Sequence, residues 1–204
     1  VLVTVLLSGF LLSVGVSWRL LIGGVALLGL LPAGLLLLPS REGHRYPEHP
    51  EPLHWSRVLN QAKQILRTPR FWLFFAAMFL AGGGEFCLTF WSASYIQLHF
   101  GSAAWAGGLG TACFAGGMVF GRTGWGYLIR QHQLPRLVTL SALAGAGLTL
   151  FFPLVDRLWM LFILLFLAGL ATAPFWPSIQ SYSTDRLPGK DTTMLFVLLS
   201  CAGV

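Results

Sequence analysis

The chain has 204 residues, of which 55% are hydrophobic and only 10% are charged, whereas soluble domains carry about 25% charged residues. This composition excludes a disordered chain and a disulfide-stapled secreted module, and it argues against a water-soluble enzyme. The formal charge of +6 does not indicate a nucleic-acid partner, because the cations lie between long apolar runs and form no dense patch.

Apolar segments follow one another along the whole chain. A bilayer core about 30 Å thick requires about 20 apolar residues in a helix. On that basis the predicted membrane segments cover approximately residues 1–16, 20–39, 71–98, 103–121, 134–154, 157–179 and 192–204. Because the runs are continuous and do not alternate, they predict helices and exclude a barrel. The predicted fold class is therefore an all-α membrane protein, a polytopic helical bundle. Both ends of the sequence fall inside apolar segments, so we expect an internal piece of a longer protein.

The Lys and Arg residues lie almost entirely on alternate connections between these segments. Only Arg19 and Arg157 lie on the other set of connections. Since cytoplasmic connections carry the excess of Lys and Arg, the connection 40–70 and those after 103–121 and 157–179 are expected to be cytoplasmic.

The long connection 40–70 divides into two parts. Residues 40–52 are rich in Pro, Glu and His and predict a solvated linker. His44, His49 and His54 fit such a linker better than a metal site, and no metal or cofactor is expected. Residues 53–67 carry one apolar and one polar face at helical spacing, so we expect an amphipathic helix on the cytoplasmic membrane surface.

An acidic residue lies near the middle of the third predicted segment. Glu85 is the only Asp or Glu within any predicted membrane segment, and a carboxylate at that depth costs about 2.5 kcal/mol or more on insertion scales. Function is therefore the first hypothesis, and a protonated Glu bonded to a neighbouring helix is the alternative. Thr89 and Ser92 lie on the same helix face, with Tyr95 beside them. The preceding Gly82–Gly84 run fits either local bending or close helix contact.

Segment 103–121 is dominated by small residues. Gly108, Ala112 and Gly116 form a stripe at four-residue spacing, which lets helix backbones approach closely in lipid. We expect this helix to lie among neighbours. The Leu-rich segments 20–39 and 134–154 are expected at the periphery.

Two prolines interrupt the end of segment 157–179. Pro174 and Pro177 bracket Trp176, and Gln180 follows. Prolines free backbone carbonyls in a membrane helix where it lines protein or a cavity. An aromatic ring beside polar groups suits a polyhydroxylated ligand, but Trp176 fits an interfacial aromatic belt equally well.

This order of features resembles the latter half of a major facilitator superfamily transporter. The resemblance implies a fragment from the fifth to the eleventh helix. Residues 1–39 would be the last two helices of the N-terminal bundle (the first one cut), 40–70 the cytoplasmic linker, and 71–204 a C-terminal bundle truncated in its fifth helix. The rest of the N-terminal half would be a partner within the same chain.

A short motif strengthens the resemblance. The stretch Gly117-Met-Val-Phe-Gly121-Arg122-Thr-Gly124 resembles the superfamily's cytoplasmic signature G-x-x-x-D-R-x-G, as it recurs after the eighth helix. This resemblance marks Gly117, Gly121, Arg122 and Gly124 as a conformational signature loop. Gly121 stands where the acid is expected, so no charge relay is implied, and Arg122 is left to contact helix ends or headgroups.

Two further stretches are similar to the sugar:proton symporters typified by fucose permease. Gly84-Glu85 with Trp91 and Tyr95 resembles the G-x-E…W…Y pattern of their seventh helix, and residues 173–188 resemble the tenth helix and its following loop. The resemblance implies alternating-access transport of a small polar solute, first among them a sugar, with proton coupling. The implied substrate-binding residues are Glu85, Thr89, Trp91, Tyr95, Trp176 and Gln180, and Glu85 is also the candidate for proton coupling.

Two other functions stay open. One is a major facilitator exporter of drugs or lipophilic metabolites, and Gln97, Gln180 and Glu85 favour a polar solute over it. The other is a polytopic membrane enzyme or receptor without transport, but the loop charges are scattered, so no enzyme is expected. We expect the protein in the bacterial inner membrane with its linker in the cytoplasm.

Overall fold

The computed structural model describes residues 2–37, 55–187 and 192–203. These residues form helices and no strand, which confirms the all-α class. The α-helices are α1 (Leu2–Ser13), α2 (Trp18–Leu37), α3 (Trp55–Leu66), α4 (Pro69–Phe100), α5 (Ala104–Leu128), α6 (Leu134–Leu150), α7 (Leu158–Thr172), α8 (Phe175–Arg186) and α9 (Thr192–Ser200). Short 3-10 turns follow α5, α6 and α9.

Four stretches of the described chain are long and apolar enough to cross a membrane. They are Trp18–Leu35, Pro69–Phe100, Gln131–Leu154 and Leu158–Arg186. The last two each combine more than one helical piece, since a 3-10 turn extends α6 at both ends and α7 runs into α8. Helix α5 is long enough but is not among them, in keeping with its high content of Gly.

Helix α4 is the longest element of the described chain. It begins with Pro69, which is pre-organised for a first helical turn. It ends at Gly101, whose φ of 61° is a left-handed conformation that glycine adopts at little cost. The helix continues without interruption through Gly82–Gly84. A Cβ on Gly83 or Gly84 would meet nothing within 4 Å, so close helix contact does not explain these two glycines.

Helix α5 lies at the centre of the bundle, as the small-residue stripe predicts. Its buried residues include Gly108, Ala112 and Gly116, and it packs against α1, α4 and α7. By contrast α2 has no buried residue along its membrane-length stretch, Trp18–Leu35. Among the described helices, α2 contacts mainly α1.

The predicted segment 157–179 is in fact two helices. Helix α7 ends at Thr172, and α8 runs from Phe175 to Arg186, beyond the predicted end. The break follows from Pro174 and Pro177, which have no backbone N–H to donate to the preceding turn. The helix resumes when the N–H of Ser178 bonds to the carbonyl of Pro174.

Within the predicted amphipathic segment 53–67, the structure has helix α3 from Trp55 to Leu66; its location on the cytoplasmic membrane surface stays a prediction. Ile65 is buried against Phe71, Leu195 and Leu199, which attaches α3 to the start of α4 and to α9. The indole N–H of Trp72 also donates to the carbonyl of Leu66 at 2.9 Å. The predicted linker 40–52, with His44 and His49, lies outside the described residues, and so does His54.

Candidate functional site

An ion pair joins α4 and α5 at the middle of α4. Glu85 lies 16 residues after Pro69 and 15 before Phe100. Nη2 of Arg122 donates a hydrogen bond to Oε1 of Glu85 at 3.3 Å, and the side chains of Arg122 and Glu85 are 49% and 21% exposed. The other carboxylate oxygen, Oε2, is buried and has no hydrogen-bond partner within the described chain. The carboxylate is therefore neutralised from one side only.

The pair follows from the geometry of the α4–α5 hairpin. The chain reverses between Gly101 and Ala103, so the two helices run antiparallel and residues at similar distances from the turn face each other. Closer to the turn, the hydroxyl groups of Ser92 and Thr111 meet at 3.2 Å. The same register brings Arg122 to Glu85.

The placement of Arg122 corrects the predicted signature loop. Gly117, Gly121, Arg122 and Gly124 all lie inside α5, because nothing stops the helix before Leu128. Arg122 was expected to contact helix ends or headgroups, and in the described chain it contacts Glu85 instead. A conformational role for these four positions stays a prediction.

The two leading glycines of this motif have a packing role. A Cβ on Gly117 would collide with the carbonyl oxygen of Phe166, and one on Gly121 would lie 2.5 Å from Cβ of Ala173. These glycines therefore let α5 approach the backbone of α7. A Cβ on Gly124 would meet nothing within 4 Å.

The other predicted binding residues of α4 have separate surroundings. Thr89 donates to the carbonyl of Glu85 at 2.8 Å, so its hydroxyl is engaged within its own helix. Tyr95 donates to the carbonyl of Phe152 at 3.3 Å and stacks on His99. Trp91, 68% exposed, lines a cavity of about 180 Å³ together with Tyr95. Tyr95 lies about 15 Å further along the helix than Glu85.

The two predicted binding residues of α8 form a third group. Trp176 is half-buried against a cluster that contains Met78 and Ile179. Gln180 is within 3.5 Å of the hydroxyl of Ser200 on α9. In the described chain no hydrogen bond or ring contact joins either residue to Glu85. The structure thus divides the predicted set into three places along α4 and α8.

A polar cluster at the far end of α8 was not predicted. The amide nitrogen of Gln131 donates to Oδ2 of Asp185 at 3.0 Å and to Oγ of Ser181 at 2.9 Å. Ser181 in turn donates to the amide oxygen of Gln131 at 3.1 Å. This cluster ties the connection after α5 to α8. Its sequence carries no spacing signal, because the partners are about 50 positions apart.

A cavity of about 640 Å³ between α4, α6 and α8 is almost entirely apolar. It is lined by side chains such as Leu80, Val138 and Phe175, with Thr149 and Thr172 as hydroxyl groups. Glu85 and Arg122 are not among its lining residues. The polar site and this apolar cavity are therefore distinct.

A helical bundle with four membrane-length apolar stretches in its described residues is typical of an integral membrane protein. The sequence model of the Major Facilitator Superfamily matches residues 1–204, and the chain belongs to that family. No curated protein and no solved structure matches the chain. Membership identifies the protein as a secondary transporter, which acts on small molecules within the lipid bilayer.

Proposed function

We propose that this transporter moves a small polar solute by alternating access, that the solute is a sugar, and that protons drive the movement. The observation that carries the proposal is the half-paired carboxylate of Glu85, with one oxygen bonded to Arg122 and the other buried without a partner. Ionisable groups at this depth are costly and mark substrate, ion or proton pathways.

The ion pair gives proton binding a structural consequence. Protonation of Glu85 removes the charge that Arg122 neutralises, so proton uptake weakens the bond between α4 and α5. Within the described chain, Arg122 is the charged side chain that contacts Glu85. The charged groups of Asp185 and Arg186 on α8 contact Gln131 and Tyr182 instead. Proton binding is thereby linked to the position of two helices, which proton-coupled transport requires.

The solute-binding residues are proposed from the same two helices. Glu85, Thr89, Trp91 and Tyr95 on α4, with Trp176 and Gln180 on α8, offer acid, hydroxyl, amide and aromatic groups for a sugar. We also propose a division of the chain into three parts. Residues 1–39 are two helices of an N-terminal bundle, residues 40–70 are the linker, and residues 71–204 belong to the C-terminal bundle. The facing bundle would complete the central path near the membrane midplane. We place the protein in the bacterial inner membrane with the linker in the cytoplasm.

Glu85→Gln in the complete protein tests the coupling. The amide of glutamine has the shape of the carboxyl group but does not ionise, so it cannot take up and release a proton during the transport cycle. We expect accumulation of a radiolabelled sugar in proteoliposomes under an imposed pH gradient to fall to background, while exchange of internal for external sugar continues. The matched control is Asp156→Asn, which removes an acid from an exposed position between α6 and α7, and it should accumulate sugar normally.

The outcomes of this experiment separate the possible functions. Normal accumulation by Glu85→Gln at every pH would remove the coupling role from Glu85. If no sugar of a broad panel enters, but a lipophilic dye is expelled, the protein is an exporter. Uptake that ignores the pH gradient in the unsubstituted protein would reject proton coupling itself.

A further inference from the structure

The guanidinium group of Arg122 makes fewer hydrogen bonds within the described chain than it can donate. Of the five N–H groups of an arginine, one donates to Glu85, and that single bond is 3.3 Å long. A stable arginine–carboxylate pair is commonly bidentate and shorter. Arg122 has no other hydrogen bond in the described chain. The backbone of Arg122 lies about 9 Å inside the end of α5, since Arg122 precedes Leu128 by six residues.

Arg122 lines a cavity of about 230 Å³. The cavity lies between the last turns of α5, the start of α6 and the proline break before α8. Ser178, which is buried, lines it, and its hydroxyl has no hydrogen-bond partner among the described residues. The Gln131–Ser181 hydrogen bonds form one wall and hold it in place.

The charge of the cavity favours an anion. Arg122 is the charged residue that lines it, and none of the described lining residues is a carboxylate. The nearby carboxylate of Asp185 is engaged by Gln131. A tetrahedral or planar oxyanion matches what is present, because guanidinium groups bind phosphate and carboxylate with two parallel bonds. The volume is ample for either group, since one water takes about 30 Å³ in the liquid.

We propose that this cavity is an oxyanion site, in which Arg122 and the hydroxyl of Ser178 bind a phosphate or carboxylate group. Glu85 serves as the internal anion that holds Arg122 when the site is empty. The occupant is the charged group of a free solute or the phosphate of a lipid headgroup, since both present the same chemistry. The site does not depend on proton coupling or on sugar as substrate, so it stands apart from the transport proposal.

The test is equilibrium binding to the complete protein in phosphatidylcholine nanodiscs, without any gradient. The free-solute probes are radiolabelled inorganic phosphate and acetate. The lipid probe is phosphatidylglycerol, whose retention over phosphatidylcholine is measured by native mass spectrometry. Saturable binding of a free probe identifies a solute site, and selective retention of phosphatidylglycerol identifies a lipid site.

The variants move affinity in opposite directions. Arg122→Gln should lower the affinity for the bound probe at least tenfold, and Ser178→Ala by a few-fold. Glu85→Gln should raise the affinity about tenfold, because the competing carboxylate is gone while Arg122 keeps its charge. Arg157→Gln removes the same charge from an exposed position before α7 and should leave the affinity unchanged.

The gain of affinity in Glu85→Gln keeps the test decisive if Arg122→Gln folds poorly, since misfolding does not tighten binding. The proposal is overturned if wild type retains none of the probes, or if Glu85→Gln and Arg122→Gln bind as wild type does. Loss of gradient-driven uptake in a variant that still binds the oxyanion would support a site that is independent of proton coupling. Intact uptake with no oxyanion binding would reject this site alone.

Discussion

At the scale of single residues, we expect the Glu85–Arg122 pair to contribute little net free energy to folding in spite of its position. A buried ion pair offsets the cost of moving two charges out of water only when its geometry is good and its remaining polar atoms are bonded. Here one bond of 3.3 Å is present, Oε2 of Glu85 has no partner, and half of Arg122 is exposed. Such a pair is easily broken, which suits exchange with a proton or a ligand better than a purely structural role.

A double-mutant cycle measures this balance. We compare Glu85→Gln, Arg122→Gln and the double variant by reversible unfolding in mixed detergent micelles. We expect Arg122→Gln to cost more than Glu85→Gln, because it leaves an unpaired carboxylate at mid-membrane, whereas a freed Arg122 extends towards the headgroups. The coupling free energy should be about 1 kcal/mol. Additive effects would show that the two side chains do not interact in the folded protein.

The candidate site was only partly predictable from the sequence. Glu85 stood out because a carboxylate in lipid is expensive whatever surrounds it. Its partner did not, because Arg122 directly follows the predicted end of the helix at residue 121. Helix α5 in fact continues about two turns further, to Leu128, which moves the side chain from the headgroups into the bundle. The hydrogen bond from Gln131 to Asp185 depends on tertiary packing, which no local pattern encodes.

At the scale of helices, glycine sets the distance between α5 and α7. Gly117 faces Phe166, and Gly169 of α7 faces Phe114, so each helix presents a gap in its surface to the backbone of the other. In lipid this close contact replaces the hydrophobic effect as the source of helix association. The order and character of the helices were predictable from apolar length and small-residue spacing. Their ends were less so, because Pro174 divides one predicted segment and nothing in the sequence stops α5 before Leu128.

Two glycine substitutions in α5 test whether the glycines of the motif at positions 117–124 are needed for packing against α7. Gly117→Ala should destabilise the folded protein by about 1–3 kcal/mol, because the new methyl group meets the carbonyl of Phe166 and forces the helices apart. Gly124→Ala should leave stability unchanged or raise it by up to about 1 kcal/mol, since its Cβ enters open space. Thermal unfolding in detergent measures both. Equal stabilisation by the two would mean that helix propensity governs this motif, and equal destabilisation would show that the α5–α7 contact at Gly117 is not the cause.

At the scale of the whole molecule, the contact of α1 with α5 has a special place. Among the described helices, α1 packs chiefly on α5. Gly9 and Gly108 meet there, such that a Cβ on either one would lie 3.1 Å from Cα of the other. If α1 belongs to the N-terminal bundle and α5 to the C-terminal one, as we propose, this is the contact across which the bundles rock during alternating access.

Gly108→Leu tests whether this contact closes during transport. A leucine at position 108 would meet Cα of Gly9 and the carbonyl of Val5, so the closed contact should become less stable by about 1–3 kcal/mol. If closing limits the cycle, this lowers the solute uptake rate about tenfold, and Gly108→Ala should have an intermediate rate. The control is Gly23→Leu on α2, where a Cβ meets nothing within 4 Å.

Uptake is measured in proteoliposomes at matched protein content. Thermal unfolding of the same samples separates a slowed cycle from a lost fold. Uptake by Gly108→Leu at the rate of Gly23→Leu would show that α1 and α5 do not need to approach this closely for transport.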